Sequence, residues 1–134
     1  MNTATVEAKS VVQSFYANLG AGKPDAAFAL FSDDIEWNEA EGNSLADRNP
    51  YRGVKQIAEG VFGRLGEIFE GFAAVPDEFI AENGRVIVIG RYHGTHRKTG
   101  ATLDCPAVHS WWVDRGKIVR FQQYADTAQL CRLS

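Results

Sequence analysis

Hydrophobic residues in the first half of the chain recur with the period of an α-helix. The first apolar set falls on one helical face and comprises Val11, Val12, Phe15, Tyr16 and Leu19. Gly20, Gly22 and Pro24 end this helix, and Pro24 suits the first turn of a short second helix over residues 25–31. A third apolar set with the same period predicts a longer helix over residues 54–69.

In the second half, apolar and polar residues alternate as they do in β-strands. A short strand is predicted first, with Ile35, Trp37 and Glu39 on one face. Four longer strands follow, over residues 73–81, 85–97, 101–113 and 117–125. Asn83-Gly84 between the first two of these is a strong hairpin signal, and glycine-containing loops join the others.

Three helices followed by an antiparallel meander are typical of an α+β fold. A polar loop, residues 40–53, separates the short strand from the third helix. Long antiparallel strands twist and coil, so we expect the sheet to curve strongly around the three N-terminal helices. Such a cone would enclose a largely apolar space. The 134 residues suffice for one domain of this kind, residues 1–134.

Composition narrows the range of partners. The net charge is −3 and both signs are interspersed, which disfavours a nucleic-acid partner. No apolar run approaches the roughly 20 residues that span a bilayer, and the N-terminus does not resemble a signal peptide. Cys105 and Cys131 form neither a disulfide framework nor a metal-binding spacing. We therefore expect a cytoplasmic protein with reduced thiols and no membrane contact.

His109 is a polar residue in the middle of an otherwise apolar strand. The two-residue period of a strand places Cys105, Ala107 and Trp111 on the same face as His109. A histidine there is either a hydrogen-bonded core residue or the working group of a pocket. A neutral imidazole in a pocket can donate to a carbonyl oxygen or accept a proton near neutral pH.

The order of these elements resembles a known superfamily over nearly the whole chain. The stretches that carry the resemblance are Val11–Phe15, Ala29–Trp37, Tyr51–Gly53, His109–Val119 and Tyr124–Thr127. In these stretches the chain resembles the nuclear transport factor 2-like superfamily, in particular its SnoaL-like and ketosteroid isomerase-like families. The resemblance implies a cone-shaped fold. It leaves the activity open, because this fold hosts isomerases, cyclases, hydrolases, dehydratases and binding proteins.

The resemblance also implies roles for single residues. The base carboxylate of the ketosteroid isomerase-like family falls on Glu39, its oxyanion-binding carboxylic acid on His109 and its oxyanion-binding tyrosine on Phe15, which has no donor. Tyr16 follows Phe15, but about 100° round the helix. We expect His109 and Glu39 to be the catalytic pair, working without a cofactor. Burial beside Trp37 would raise the pKa of Glu39 and suit proton transfer, although Glu39 could also be the solvated end of a strand.

The implied ligand is a small, mostly apolar carbonyl compound, which His109 would polarise while Glu39 moves a proton at the adjacent carbon. Besides this pair, the residues expected to line the pocket are Phe15, Tyr16, Trp37, Tyr51, Phe62, Tyr92, Cys105, Trp111, Phe121 and Gln123. Two other functions fit the same fold. One is non-catalytic binding of a small ligand, and the other is limonene-epoxide hydrolase-like chemistry, which needs an inward Asp-Arg-Asp set.

Asp126 and the remaining histidines have simpler explanations. Asp126 with Gln129 resembles a helix-capping box, although an aspartate of the last strand is catalytic in some SnoaL-like proteins. We expect a cap. His93 and His96 point to opposite faces of their strand, so they make a poor metal set with His109, and we predict no metal site.

The outer face of the sheet is predicted to mix apolar and polar groups. Its expected residues are Arg91, His93, Val108, Trp112, Arg120, Gln122 and Tyr124. A broad face of this kind is typical of a contact surface. We expect a twofold homodimer packed sheet to sheet.

Overall fold

The helices and strands follow the order that the sequence predicts, and the α+β class is confirmed. The structure, a computed structural model, describes residues 2–133. Its helices are α1 (Thr3–Gly20), α2 (Pro24–Phe28), α3 (Gly53–Ile57), α4 (Arg64–Ile68) and α5 (Thr127–Leu133), with a 3₁₀-helix at Ser44–Arg48 and a π-helix at Ala58–Gly63. Its strands are β1 (Phe31–Asn38), β2 (Tyr51–Arg52), β3 (Phe69–Glu82), β4 (Arg85–His96), β5 (Thr102–Asp114) and β6 (Lys117–Ala125).

All six strands belong to one curled sheet in the order β2-β1-β6-β5-β4-β3. Strands β3 to β6 form the predicted antiparallel meander, while β1 runs parallel to β6 and pairs with β2 on its other side. Register shifts lie in β3 after Glu70 and after Pro76, and in β5 after Trp112. Bulges bend and twist a strand, so they help this sheet to curve around the helices.

The second helix ends three residues earlier than predicted, and the third ends one residue earlier. The second helix ends at Phe28, because Phe31 already pairs with Ile118 of β6. The third ends at Ile68, because Phe69 opens β3 opposite His96. Both phenylalanines fit the helical pattern of apolar residues, but their backbones pair with a neighbouring strand instead.

Residues 40–53 are more ordered than the predicted polar loop. The Asn43 side chain accepts a hydrogen bond from the Leu45 backbone N–H at 3.1 Å and so caps the 3₁₀-helix. The Tyr51 hydroxyl donates to the Leu45 carbonyl at 2.5 Å. Arg64 forms a bidentate ion pair with Asp47, with N–O distances of 2.8 and 3.0 Å. These bonds hold the segment against the helices.

A π-helix separates α3 from α4, and the three pieces together form one helical stretch. Gly60 lies inside the π-helix, where a Cβ atom would come within 2.6 Å of the buried Tyr51 ring. Gly66 lies in α4 and is exposed, with nothing within 4 Å of its notional Cβ. Gly60 is therefore required by close packing and Gly66 is not. No helix among residues 2–133 is long and apolar enough to cross a membrane.

Burial along β5 alternates with the two-residue period that the sequence predicts. Cys105, Ala107, His109 and Trp111 are all buried on the face that turns toward the helices. The helix α1 packs against this concave face through buried residues such as Phe15. The interior is thus built from the concave face of the sheet and one side of the helices.

The convex face of the sheet carries both apolar and charged groups. Trp112 lies between the guanidinium groups of Arg85 and Arg120, whose carbons are 3.8 and 4.7 Å from its ring centroid. Tyr124 is 58% exposed and Ile89 is 38% exposed. This composition agrees with the expected contact surface, and the homodimer itself stays a prediction.

We predict that the same substitution has opposite effects at the two glycines. Gly60→Ala should destabilise the protein by about 1–3 kcal/mol, because the methyl group overpacks Tyr51. Gly66→Ala should stabilise it by about 0.5–1 kcal/mol, because alanine lowers the entropy cost of an exposed helical position. Urea unfolding of both variants measures the difference, and equal effects would show that Tyr51 does not confine position 60.

Candidate functional site

The concave face of the sheet and the helices enclose a cavity of about 50 Å³. Its walls are mainly aromatic and aliphatic. They are formed by Phe15, Tyr16, Leu19, Trp37, Glu39, Asn43, Leu45, Val61, Phe62, Leu65, Ile68, Phe69, Phe72, Ala74, Tyr92, His109, Trp111, Phe121, Gln123 and Leu130. Both members of the expected catalytic pair, His109 and Glu39, therefore line one cavity.

His109 is 8% exposed and is held at both ring nitrogens. The Tyr16 hydroxyl is hydrogen-bonded to Nδ1, and the Tyr92 hydroxyl is hydrogen-bonded to Nε2 at 2.5 Å. Burial lowers the pKa of His109 to about 3, so the ring is neutral near neutral pH. Because the two hydroxyls are bonded to both ring nitrogens, His109 has no nitrogen left for a direct contact with a molecule in the cavity.

Each tyrosine hydroxyl also accepts a hydrogen bond from a fixed donor. The Trp111 Nε1–H donates to Tyr16 at 3.0 Å, and the Gln123 Nε2–H donates to Tyr92 at 2.7 Å. The Gln123 amide cannot be reversed, because its Oε1 accepts from the Ala40 backbone N–H at 3.1 Å. Hydrogen bonds thus join five side chains in a row, with an N–H donor at each end. In order they are Trp111, Tyr16, His109, Tyr92 and Gln123.

The chain of hydrogen bonds contains one more donor hydrogen than its contacts with His109 require. The two hydroxyls of Tyr16 and Tyr92 carry one hydrogen each, and neutral His109 carries one N–H. Only two of these three hydrogens are needed for the two contacts with His109. One tyrosine O–H is therefore left to point elsewhere, and both hydroxyl groups belong to residues that line the cavity.

Glu39 is 2% exposed and follows directly after β1. Its Oε2 accepts from the Trp37 indole N–H at 3.0 Å, and its backbone is held on both sides by the Asn49 side-chain amide. Burial raises the pKa of Glu39 to about 7, and the Trp37 hydrogen bond and the charge of Arg64 reduce that rise. The carboxyl group is thus divided between its two protonation states near neutral pH.

Phe15 and Tyr16 both reach the cavity, although they lie about 100° apart on α1. Phe15 packs on Trp111 with a centroid distance of 4.9 Å, while Tyr16 turns its hydroxyl to His109. Side chains from two sides of α1 therefore line the same cavity. Of these two residues only Tyr16 carries a hydroxyl group. The resemblance to the ketosteroid isomerase-like family aligns the family's tyrosine with Phe15 instead.

Two of the ten expected pocket residues lie elsewhere. Tyr51 is buried against Gly60 and bonds to the Leu45 carbonyl, so it supports the wall from behind. Cys105 is buried in a second apolar cluster with Leu103 and Leu130. Cys105 faces the interior, as its position in the strand predicts. The cavity, however, does not extend to that end of β5. Trp37, Phe62, Tyr92, Trp111, Phe121 and Gln123 line the cavity together with Phe15 and Tyr16.

Asn43 was not among the residues expected to line the pocket, whereas Gln123 was. Asn43 lies in the segment taken for a polar loop, yet it is buried and donates to Gln123 Oε1 at 2.9 Å. No signal in the sequence separated Asn43 from its polar neighbours. Gln123 could be found by its strand parity with Phe121.

Asp126 acts as the expected helix cap. Its Oδ1 accepts from the Gln129 backbone N–H at 3.2 Å, at the start of α5. The Gln129 side chain does not complete a capping box, because it accepts instead from the Asp104 backbone N–H at 2.8 Å. That bond ties α5 to β5. Among residues 2–133, no group of three or more His, Cys, Asp or Glu side chains is placed to hold a metal ion.

Solved structures share this fold over almost their whole length. A nuclear transport factor 2-like protein from Burkholderia thailandensis is 36% identical, covers 94% of this chain and 95% of its own, and has a TM-score of 0.88. TerC is 24% identical, with coverage of 95% and 97% and a TM-score of 0.83. A protein with a ketosteroid isomerase-like fold from Catenulispora acidiphila is 18% identical, with coverage of 92% and 91% and a TM-score of 0.76.

The sequence itself identifies the family. No protein of curated function matches the chain. A family model of the SnoaL-like domain matches residues 12–121, which is most of the chain. The resemblance seen in the sequence is therefore confirmed, and the protein belongs to the SnoaL-like family within the nuclear transport factor 2-like superfamily.

Proposed function

We propose that this protein binds a small, mostly apolar carbonyl compound in the cavity and catalyses proton transfer at the carbon next to the carbonyl group. The observation that carries the proposal is the pairing of two groups on one enclosed cavity. One is a buried carboxyl group with a pKa of about 7, at Glu39. The other is the hydrogen-bonded chain of Tyr16, His109 and Tyr92, which has one unused O–H donor.

Glu39 is suited to act as the base. A catalytic base works best when its pKa lies near the working pH, because it is then partly ionised and still basic enough to remove a proton. Glu39 would take a proton from the carbon next to the carbonyl group and return it to the same or another carbon. Its backbone is fixed by Asn49, which holds the carboxyl group at a defined place on the wall.

The tyrosine–histidine chain is suited to stabilise the negative charge that develops on the ligand oxygen. A donor that is already oriented in a water-poor site stabilises an oxyanion without reorganising. Burial raises the pKa of Tyr16 and of Tyr92 well above the usual tyrosine value. The free hydroxyl therefore donates a hydrogen bond and keeps its proton. His109 supports this donor, whereas the sequence suggested direct contact of His109 with the substrate.

The apolar walls favour a ligand with one polar end. Trp37, Phe62 and Phe121 contribute aromatic surface against which a hydrocarbon body can pack. Structural neighbours support a ligand site in this fold, because TerC was co-crystallized with polyporic acid and the Catenulispora acidiphila protein is in complex with trimethylamine.

The base can be tested by hydrogen–deuterium exchange at the methyl group of acetophenone, an aromatic ketone with exchangeable hydrogens. We expect the protein to accelerate this exchange in D₂O, measured by proton NMR. Glu39→Gln should lower the rate by about 10²–10⁴-fold, because it removes the base. The rate should reach half its maximum near pH 7 and level off at higher pH, because only ionised Glu39 is active.

Glu41→Gln is the matched control, because Glu41 is an exposed carboxylate two residues away. It should leave the exchange rate unchanged. Full activity in Glu39→Gln would exclude Glu39 as the base. No acceleration for acetophenone or for any other enolisable ketone in a panel would contradict catalysis.

The raised pKa of Glu39 also predicts how stability depends on pH. The folded state binds the Glu39 proton more tightly than the unfolded state does, because the pKa rises from 4.5 to about 7 on folding. Raising the pH through this window therefore removes stability, by up to about 3 kcal/mol. Glu39→Gln cannot ionise and should escape this loss. Urea unfolding at pH 5 and pH 8 measures the change, and a pH-independent difference between the two proteins would contradict the raised pKa.

A non-catalytic binding protein is the second candidate. The observation in its favour is Phe15, which has no donor where the ketosteroid isomerase-like pattern has a tyrosine. In that case acetophenone would bind without exchange of its methyl hydrogens. A limonene-epoxide hydrolase-like function has no support in the cavity, since Glu39 is the sole acidic residue and no arginine is present among its lining residues.

A further inference from the structure

The unused O–H of the hydrogen-bonded chain belongs either to Tyr16 or to Tyr92, and the tautomer of His109 decides which. If Nδ1 carries the hydrogen, His109 donates to Tyr16, Tyr92 donates to Nε2, and the Tyr16 O–H is free. If Nε2 carries it, His109 donates to Tyr92, Tyr16 donates to Nδ1, and the Tyr92 O–H is free. The ends of the chain do not distinguish the two cases, because Trp111 and Gln123 donate in both.

The ring geometry favours Tyr16 as the donor to His109. A phenolic O–H lies in the plane of its ring, because the oxygen conjugates with the ring. An sp² nitrogen accepts in the plane of its own ring. The Tyr16 and His109 rings are within 9° of parallel, which is the condition for the O–H bond and the Nδ1 lone pair to lie in one plane. Tyr92 is tilted by 43° from His109, an arrangement that an accepting hydroxyl oxygen tolerates well.

The charge of Glu39 favours the same direction. Glu39 and Tyr92 line the same cavity, and ionised Glu39 raises the pKa of Tyr92 in addition to the larger effect of burial. The causes of the raised pKa of Tyr16, namely burial opposed by the Trp111 hydrogen bond, do not include Glu39. A nearby negative charge favours an O–H dipole whose hydrogen points toward it. Tyr92 gains from this orientation only when its hydrogen is not already given to His109.

We propose that His109 is held as the Nε2–H tautomer and that Tyr92 is the residue that donates to the ligand oxygen. The chain then runs in one direction, from the Tyr16 hydroxyl to Nδ1 and from Nε2–H to the Tyr92 oxygen. Tyr92 receives two hydrogen bonds, from His109 and Gln123, and its own O–H is free for the ligand. Two incoming hydrogen bonds polarise this O–H and make it a stronger donor. Tyr16 and His109 become positioning residues.

This inference rests on the proposed function for the role of Tyr92 toward an oxyanion, but the direction of the chain does not. In the proposed reaction Tyr92 keeps its proton and stabilises the enolate by a hydrogen bond. The proton removed from carbon goes to Glu39 and returns to carbon from Glu39, so the reaction leaves the protein unchanged. The ligand needs one acceptor oxygen within reach of Tyr92 and, next to it, a hydrogen-bearing carbon within reach of Glu39.

The tautomer can be measured on the ligand-free protein. Nitrogen-15 NMR distinguishes a ring nitrogen that carries hydrogen from one that does not, and the signals of His93 and His96 can be assigned by His93→Gln and His96→Gln. We expect hydrogen on Nε2 of His109 and none on Nδ1 at pH 8. Hydrogen on Nδ1 would overturn the proposal, whatever the activity of the protein.

The donor can be measured by acetophenone binding, followed by tryptophan fluorescence, since Trp37 and Trp111 line the cavity. Tyr92→Phe should weaken binding by about 5–10-fold, the loss of one hydrogen bond, and should shift the carbonyl stretching band of the bound ketone toward its value in an apolar solvent. Tyr16→Phe should weaken binding less than Tyr92→Phe does, and should leave the carbonyl stretching band of the bound ketone at its wild-type position, because Tyr92 still donates to the ligand oxygen.

The opposite pattern, with Tyr16→Phe weakening binding and Tyr92→Phe not, would overturn the proposal. So would equal effects of the two variants. Failure of the proposed function is distinguishable. A protein that binds acetophenone through Tyr92 but exchanges none of its methyl hydrogens would retain this inference and lose the catalytic role.

Discussion

The enclosure of His109 between two tyrosine hydroxyls is the interaction on which the site depends. A neutral imidazole deep inside an apolar cone is costly unless both nitrogens are hydrogen-bonded. Tyr16 from α1 and Tyr92 from β4 supply these partners, so the helix and the sheet must close on each other for the histidine to be satisfied. The same bonds leave one hydroxyl hydrogen over, which couples the stability of the fold to a donor available for a ligand.

A second constraint is the set of hydrogen bonds made by the buried Gln123 side chain. Gln123 accepts from the Ala40 backbone and from Asn43, and donates to Tyr92. It therefore joins the backbone of the residue after Glu39 to the Tyr92 hydroxyl. Side-chain hydrogen bonds of this kind hold groups that are distant in sequence in a defined relation.

Much of the fold followed from periodicity. The curved sheet, the order of the elements and the inward turn of His109 all come from alternation along strands and from helical spacing. Errors arose where sheet pairing overrode local pattern, as at Phe31 and Phe69. Residue type and position in the strands predicted part of the candidate site, including His109 and Glu39. Tyr51 and Cys105 lie outside the cavity, because parity gives the direction of a side chain and not the extent of the space it faces.

The sequence by itself determined the family, the class of fold and the presence of a histidine and a carboxylate turned toward an apolar interior. These depend on local periods and on motifs that lie close together along the chain. Only the tertiary structure decided the protonation and partners of these groups. The raised pKa of Glu39, the neutrality of His109 and the role of Tyr16 depend on burial and on contacts such as that between Tyr16 and His109, which lie 93 positions apart. Burial of this kind is a property of the whole packed chain, so no single stretch of sequence can reveal it.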